Sequence, residues 1–414
     1  MGSRRGQTSS LSPGMLQLRA TGTLVNTVAA LPQSKVRLAA AVFPLLWAWV
    51  SWGQSSPPAA QHVARAEELA NKGDLEAAAR ELRQAIELDP RSAATRVALG
   101  EVLEAQGRAE ESIREYREAI RVQPKLAEAH NQLGNALAAT GDLDAAIAEY
   151  REAVRLSPDS YEVHSNLGSA LSDRGDLDGA VAELRAAIRL KPDQADLHDD
   201  LGSLLQDRAE VDGAIAEYRR SIELNPNVGA VHNNLGSALQ DKGDTDSAVR
   251  EYREAVRLSP DSAESHSNLC LALTAKEDWA GALPECREAV RLEPNEPGLH
   301  INVGKLLKRT GDLNGAIAEY REALRLQPDS FVTHTHLCEA LGAQGDLEAA
   351  LKECRAALQL KPDFAPAHDT LGDVLLKRGD QAAALKEYQE AQRLSPRNRD
   401  YKAKAEKLAE ELAK

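Results

Sequence analysis

Four cysteines are the residues of this chain best suited to chemistry, and they fall in two pairs of equal spacing. Cys270 and Cys286 lie sixteen positions apart, as do Cys338 and Cys354. A thiol can attack, oxidise or bind metal, and its neighbours decide which. The nearest thing to a metal set is "HTHLC", where His334 and Cys338 share one face of a helix. His334, however, belongs to a column of nine histidines running from His62 to His368 at intervals of 34 or 68, so packing between elements explains it and no metal is expected. The chain has no Cys-x-x-Cys, no glycine-rich phosphate loop, no His-Glu-x-x-His and no Gly-x-Ser-x-Gly. Most carboxylates sit in patterns such as "AEYREAVRL", where Glu149, Arg151, Glu152 and Arg155 make a solvated helix face with local ion pairs. No catalytic residue and no cofactor is expected, and the chain does not read as an enzyme.

The elements that carry these residues are set by a period. Ten prolines, from Pro90 to Pro396, recur every 34 residues without a break. The unit is clearest at residues 127–160, "AEAHNQLGNALAATGDLDAAIAEYREAVRLSPDS". Apolar residues at Ala129, Leu133, Ala136 and Leu137, and again at Leu143, Ala146, Ile147, Tyr150, Ala153 and Val154, keep helical steps of three and four. Between the halves, Gly141 can end one helix in the left-handed conformation and Asp142 can cap the next. Pro158 stops the second helix, and Asp159 or Ser160 starts the following unit. Each unit is therefore a helical hairpin, and stacking on neighbours supplies the core it cannot build alone. Composition agrees: aromatics are 4% while apolar residues reach 43%, mostly small and aliphatic.

This pattern resembles the tetratricopeptide repeat. The family's Leu-Gly pair appears as Leu133-Gly134, its crossing alanines as Ala146 and Ala153, its second-helix aromatic as Tyr150 and its proline as Pro158. The resemblance implies an all-α, right-handed superhelical solenoid of ten repeats: 59–92, 93–126, 127–160, 161–194, 195–228, 229–262, 263–296, 297–330, 331–364 and 365–398. A capping helix is expected over 399–414, with Asp400 as its cap and Tyr401, Ala405, Leu408 and Leu412 as its apolar stripe. The first repeat departs from the pattern with Arg65-Ala66, and the turn glycine is replaced at Ala209 and Glu277, which marks those two hairpins as the softest. Within the repeat, Cys270 and Cys338 stand where Gly134 stands, and Cys286 and Cys354 stand where Tyr150 stands. In the family these positions face each other across the hairpin. Two readings follow. One is a disulfide inside each hairpin, which would staple the helix interrupted by Pro284. The other is size compensation between two buried thiols.

The family also binds ligands along the concave wall lined by first helices. By position in the repeat, the middle repeats place Glu162, Asp173, Asp196, Asp199, Asp200, Asp207, Asp241 and Glu264 there, while the eighth reverses sign with Lys305, Lys308 and Arg309. Asn166, Asn234, Asn268 and Asn302 repeat at one position, and an amide that both donates and accepts can hold a peptide backbone. This column resembles the asparagine ladder of the repeat domain of O-linked N-acetylglucosamine transferases, although their catalytic region has no counterpart in the eighteen residues after Pro396. The lysine–asparagine clamp for chaperone C termini is not matched. The expected role is a protein-interaction scaffold with an acidic peptide groove. The alternative is a repeat subunit that recruits substrates for an enzyme encoded elsewhere. The net charge of -14 repels phosphate backbones, so partners are protein or peptide, basic ones favoured, and not nucleic acid.

The N terminus differs in kind. Residues 1–53 hold five basic residues and no acid, and "LAAAVFPLLWAWVSW" (38–52) carries no charge. A membrane span needs roughly 20 apolar residues, a signal core about 7–15 after a basic start. Residues 36–53 are thus expected to be an export signal, with a membrane anchor through 38–52 as the alternative, and 54–58 a linker. Residues 1–35 are expected to be disordered or outside the natural product, as a start at Val36 would make them. The expected location is periplasmic or extracellular.

Overall fold

The computed structural model describes residues 57–413, and among these there are 21 helices and no strand. They form two compact units, one ending at Pro192 and one beginning at Asp193. In the first, α1 to α8 span Pro57–Asn71, Leu75–Leu88, Ala93–Ala105, Ala109–Val122, Ala127–Ala139, Leu143–Leu156, Tyr161–Asp173 and Leu177–Leu190. In the second, α9 to α15 span Ala195–Asp207, Val211–Leu224, Gly229–Lys242, Thr245–Leu258, Ala263–Ala275, Trp279–Leu292 and Pro297–Arg309. The remainder, α16 to α21, span Leu313–Leu326, Phe331–Gln344, Leu347–Leu360, Ala365–Arg378, Gln381–Leu394 and Arg399–Leu412. Within each unit the helices pack as consecutive hairpins, each stacked on the next.

The turn inside a hairpin is made as the residues dictate. Gly141 adopts φ +86°, the Asp142 N–H donates to the Leu137 carbonyl, and the Asp142 carboxylate accepts from the Ala145 N–H that opens α6. Ala209 and Glu277 are held at φ +60° in the equivalent turns, a conformation that strains any residue with a Cβ.

Close approach of the paired helices explains the co-varying positions. Ala146 and Ala153 are fully buried, which lets the backbones come near. A Cβ on Gly134 would lie 2.6 Å from the Tyr150 ring, so the tyrosine requires the glycine. Where the partner is Leu184, a Cβ on Gly168 would meet nothing closer than 3.2 Å. The cysteines occupy this same crossing: Cys270 pairs with Cys286 and Cys338 with Cys354, at Cα separations of 5.2 and 5.3 Å. The structure thus pairs them as disulfides, and α14 runs through Pro284 two residues before its bridge.

The histidine column fastens hairpin to hairpin. His130 Nδ1 lies 2.6 Å from the Glu149 carboxylate on its own hairpin, while Nε2–H donates over 3.1 Å to the carbonyl of Pro124 in the preceding one. His164, His232, His266, His300, His334 and His368 repeat both contacts at shifts of 34 residues. In the second hairpin Arg96 takes the histidine's place and pairs with Glu115 at 3.0 Å.

Two expectations need correction. The last helix is capped by Asn398, whose side chain accepts from the Asp400 and Tyr401 N–H groups, so Asp400 sits inside the first turn, where its charge suits the helix N terminus. Ala405 and Leu408 bury against the preceding hairpin, but Leu412 is exposed and leaves the stripe. At the other end α1 starts at Pro57, so Pro57 and Pro58 of the expected linker belong to a helical first turn, where proline is tolerated. The expected signal or anchor, the rest of the linker and residues 1–35 lie outside the described residues. Among the described residues no helix is long and apolar enough to cross a membrane.

Peptide mass spectrometry of the unreduced protein is expected to find the 270–286 and 338–354 linkages, and reduction to cost up to about 3 kcal/mol per bridge. Four free thiols in protein from an oxidising compartment would contradict this. Ala209→Gly and Glu277→Gly should each raise stability by about 0.5–1 kcal/mol in thermal melts, because glycine takes positive φ without strain.

Candidate functional site

The first helices of the hairpins carry a wall of polar side chains whose placement follows from the packing beneath. Each repeat tyrosine buries its ring at the crossing and aims its hydroxyl toward that wall. Tyr116 donates to Glu104 (3.1 Å), Tyr150 to Asn135 (2.7 Å), Tyr252 to Gln240 (3.2 Å) and Tyr388 to Asp373 (2.7 Å). Tyr218 reaches both Ser203 and Gln206. The core thereby positions the recognition surface.

In the first unit the wall on α3, α5 and α7 is acidic and amide-rich. Gln132 donates to Glu101 over 2.7 Å, and Asn135 donates to Gln132. Burial pushes Glu101 and Glu104 up to about 7, and raises Glu128 above the usual carboxylate range. Of the expected residues here, Asn166 donates to the amide oxygen of Asn131 at 3.0 Å, Glu162 accepts from the Ser160 hydroxyl, and Asp173 is exposed at the end of α7. Sequence reading missed Glu101, Glu104 and Glu128. The signal was available, since they occupy the same repeat positions as the residues read in later hairpins.

In the second unit Asp196, Asp199 and Asp200 cluster on α9. Asp199 accepts from Asn234 at 3.2 Å, and its pKa is raised by burial. Asp200 stays exposed, yet the surrounding wall thins its hydration and, with Asp199 and Asp196 beside it, pushes it up to about 6. Gln206 donates to Asp241 at 2.8 Å, and Asn233 to Glu264 at 3.1 Å; Asn268 in turn donates to Asn233 at 3.0 Å. Three members of the asparagine column, Asn166, Asn234 and Asn268, therefore link one hairpin to the preceding one. Asp207 lies on the same wall at the end of α9.

The sign changes along α15. Asn302, Lys305 and Arg309 line a pocket of about 340 Å³ with Leu271 and Thr274 of α13 and with Trp279. The Arg309 guanidinium lies 5.3 Å from the Trp279 ring centroid, and Lys308 pairs with Glu339 on α17. Trp279 was not foreseen, because it enters from the first residue of α14, a second helix, and not from the first-helix wall. Nor was His336, which stacks on Tyr320 at 5.7 Å; burial, then Lys305 and Lys308, pushes its pKa down to about 3 and keeps it neutral.

Two family descriptions match the chain: "TPR repeat" over residues 66–107, 104–141, 134–173 and 168–208, and "Tetratricopeptide repeat" over 233–297, 301–365 and 337–399. Together they cover well over half of it. No curated protein matches. Among solved structures the chain is similar to YrrB, described as a TPR protein with an unusual peptide-binding site, at 20% identity over 48% of this chain and 99% of that one, with a TM-score of 0.41. It is also similar to pilF of Pseudomonas aeruginosa at 22% identity, over 50% and 94%, with a TM-score of 0.45. A tetratricopeptide repeat protein of Parabacteroides merdae matches at 15% identity, over 60% and 98%, with a TM-score of 0.48.

The raised carboxylates make a pH prediction. A glutamate whose folded pKa stands above its unfolded value supports the fold at low pH and loses that support as pH rises through about 7. Glu101→Gln keeps the acceptor for Gln132 and removes the charge. It should stabilise the protein by about 1–2 kcal/mol at pH 8, after allowance for solvent access, and change little at pH 5. Equal melting shifts at both pH values would contradict the assignment.

Proposed function

Because the chain belongs to the tetratricopeptide repeat family, we propose that it is a non-catalytic scaffold that captures extended segments of partner proteins along the first-helix walls of its two units. The observation that carries this reading is the separation of tasks within each hairpin. Alanine, glycine and tyrosine satisfy the packing inside the hairpin, while Asp196, Asp199 and Asp200 form a carboxylate cluster outside that crossing, in which the hydration of Asp199 and Asp200 is already reduced. A cationic segment would relieve that cost. Basic stretches suit this cluster, and acidic ones suit the α15 region, so a bound segment has a direction. The asparagine column supports a second version of the same role, in which the repeats recruit substrates for an enzyme encoded elsewhere, since amides that bond to one another can exchange those bonds for a peptide backbone. Two cysteine pairs at disulfide distance fit an exported protein, cleaved or anchored through residues 38–52.

Asp199→Lys combined with Asp200→Lys should leave the helical circular dichroism unchanged and lower recovery of the native partner about tenfold or more, the cost of opposing a charge pair. Wild-type recovery should fall in high salt and as pH drops through about 6, where Asp200 takes up its proton. Recovery that is indifferent to the double change would remove this wall from the site.

A further inference from the structure

The eighth repeat breaks a rule that the other tyrosine-bearing repeats obey. Tyr116, Tyr150, Tyr218, Tyr252 and Tyr388 each find an acceptor on the first helix of their own hairpin. In the eighth hairpin the corresponding positions are Lys305 and Lys308, which only donate. The Tyr320 hydroxyl is accordingly buried without a hydrogen-bond partner among the described residues. Lys305 is exposed and has no carboxylate partner among the described residues, and the surrounding wall, which thins its hydration, together with Lys308 depresses its pKa. The Lys308 charge is taken by Glu339. Arg309 lies over the Trp279 ring and pairs with Glu277 at 3.8 Å, a long ion pair between two exposed side chains that a ligand can displace.

This stretch of wall is therefore short of negative charge in a chain that carries net charge -14. The deficit lies beside a cavity with an apolar side. Leu271, Leu306 and the Trp279 indole line the same pocket as Lys305, Arg309, Asn302 and Thr274, and its one carboxylate, Glu277, sits on the Arg309 side and leaves Lys305 unopposed. Its volume of about 340 Å³ admits one or two side chains and no folded domain.

Resting on the groove reading above, we propose that the pocket between α13 and α15 is a subsite for an Asp or Glu carboxylate of a partner segment, with an adjoining apolar residue against Trp279 and Leu271. Lys305 meets the carboxylate directly and Arg309 from the rim. Asn302 and Thr274 donate to the remaining oxygens or to the peptide backbone. Polyanions fit poorly, because Glu277 on the pocket lining would repel additional negative charge.

The test is selection of a random-peptide phage library on the immobilised full chain, side by side with Lys305→Gln, Lys305→Arg and Asp199→Lys/Asp200→Lys proteins. Wild type should enrich peptides carrying an acid next to an apolar or aromatic residue. The synthetic winner should change Trp279 fluorescence, bind about tenfold more weakly to Lys305→Gln, as removal of a single charge-assisted hydrogen bond requires, and recover on Lys305→Arg. Peptides that bind and respond to Asp199→Lys/Asp200→Lys but show no acid preference and no response at Lys305 would overturn the subsite and leave the groove standing. No enrichment at all would overturn both. Displacement of the winner by millimolar inorganic phosphate, with the acid replaceable by any anion, would make this a small-anion site and also overturn the proposal.

Discussion

The structure depends on one close approach, the crossing of the two helices within each hairpin. A residue without a side chain, Gly100, Gly134, Gly202, Gly236, Gly304 or Gly372, faces a tyrosine ring that leaves no room for a Cβ. Alanines buried on the second helix bring the backbones near enough for that fit. Because all of this happens between the helices, the outward side of the first helix is released from packing and is free for recognition. The same tyrosines carry the link between the two layers, ring in the core and hydroxyl on the wall.

A second interaction converts separate hairpins into a stack. The ring of each clamping histidine meets a carboxylate on its own hairpin and a proline carbonyl on the one before, so one side chain joins two repeats. For His232 and His334 the bonded carboxylates of Glu251 and Glu353 raise the imidazole pKa, since both ring nitrogens donate. That contribution is complete at acid pH and is lost as pH climbs through the raised value, the same direction as for Glu101 and Glu104. The proline that ends each helix thus has two roles, as a stop and as an acceptor.

Most of the fold was legible because it is periodic. A proline every 34 residues, a glycine and an aspartate at each turn, and helical spacing between them specify hairpins without reference to anything distant. The errors fell at the ends, where the period runs out: Asn398 rather than Asp400 caps the last helix, and Pro57 opens the first. The cysteine pairs were legible as a coupled replacement of glycine and tyrosine, and only their approach decided between a bridge and a fit of sizes. The site was less legible. Asn166, Asn234 and Asn268 were placed on the wall by position, but that their partners sit on the preceding hairpin is a property of the stack. Trp279 reaches its pocket from the start of a second helix, and the unsatisfied Tyr320 hydroxyl emerges only from what lysines at two neighbouring positions cannot accept.

The central claim is that partners are engaged on the first-helix wall. A photo-crosslinking amino acid placed at Ser203 or Ser237 reports on that wall, and one at Arg219 or Arg253 reports on the exposed second helices. In the native setting, adducts with a partner protein from positions 203 and 237, and none from 219 and 253, are the predicted result. Adducts confined to 219 and 253 would contradict it.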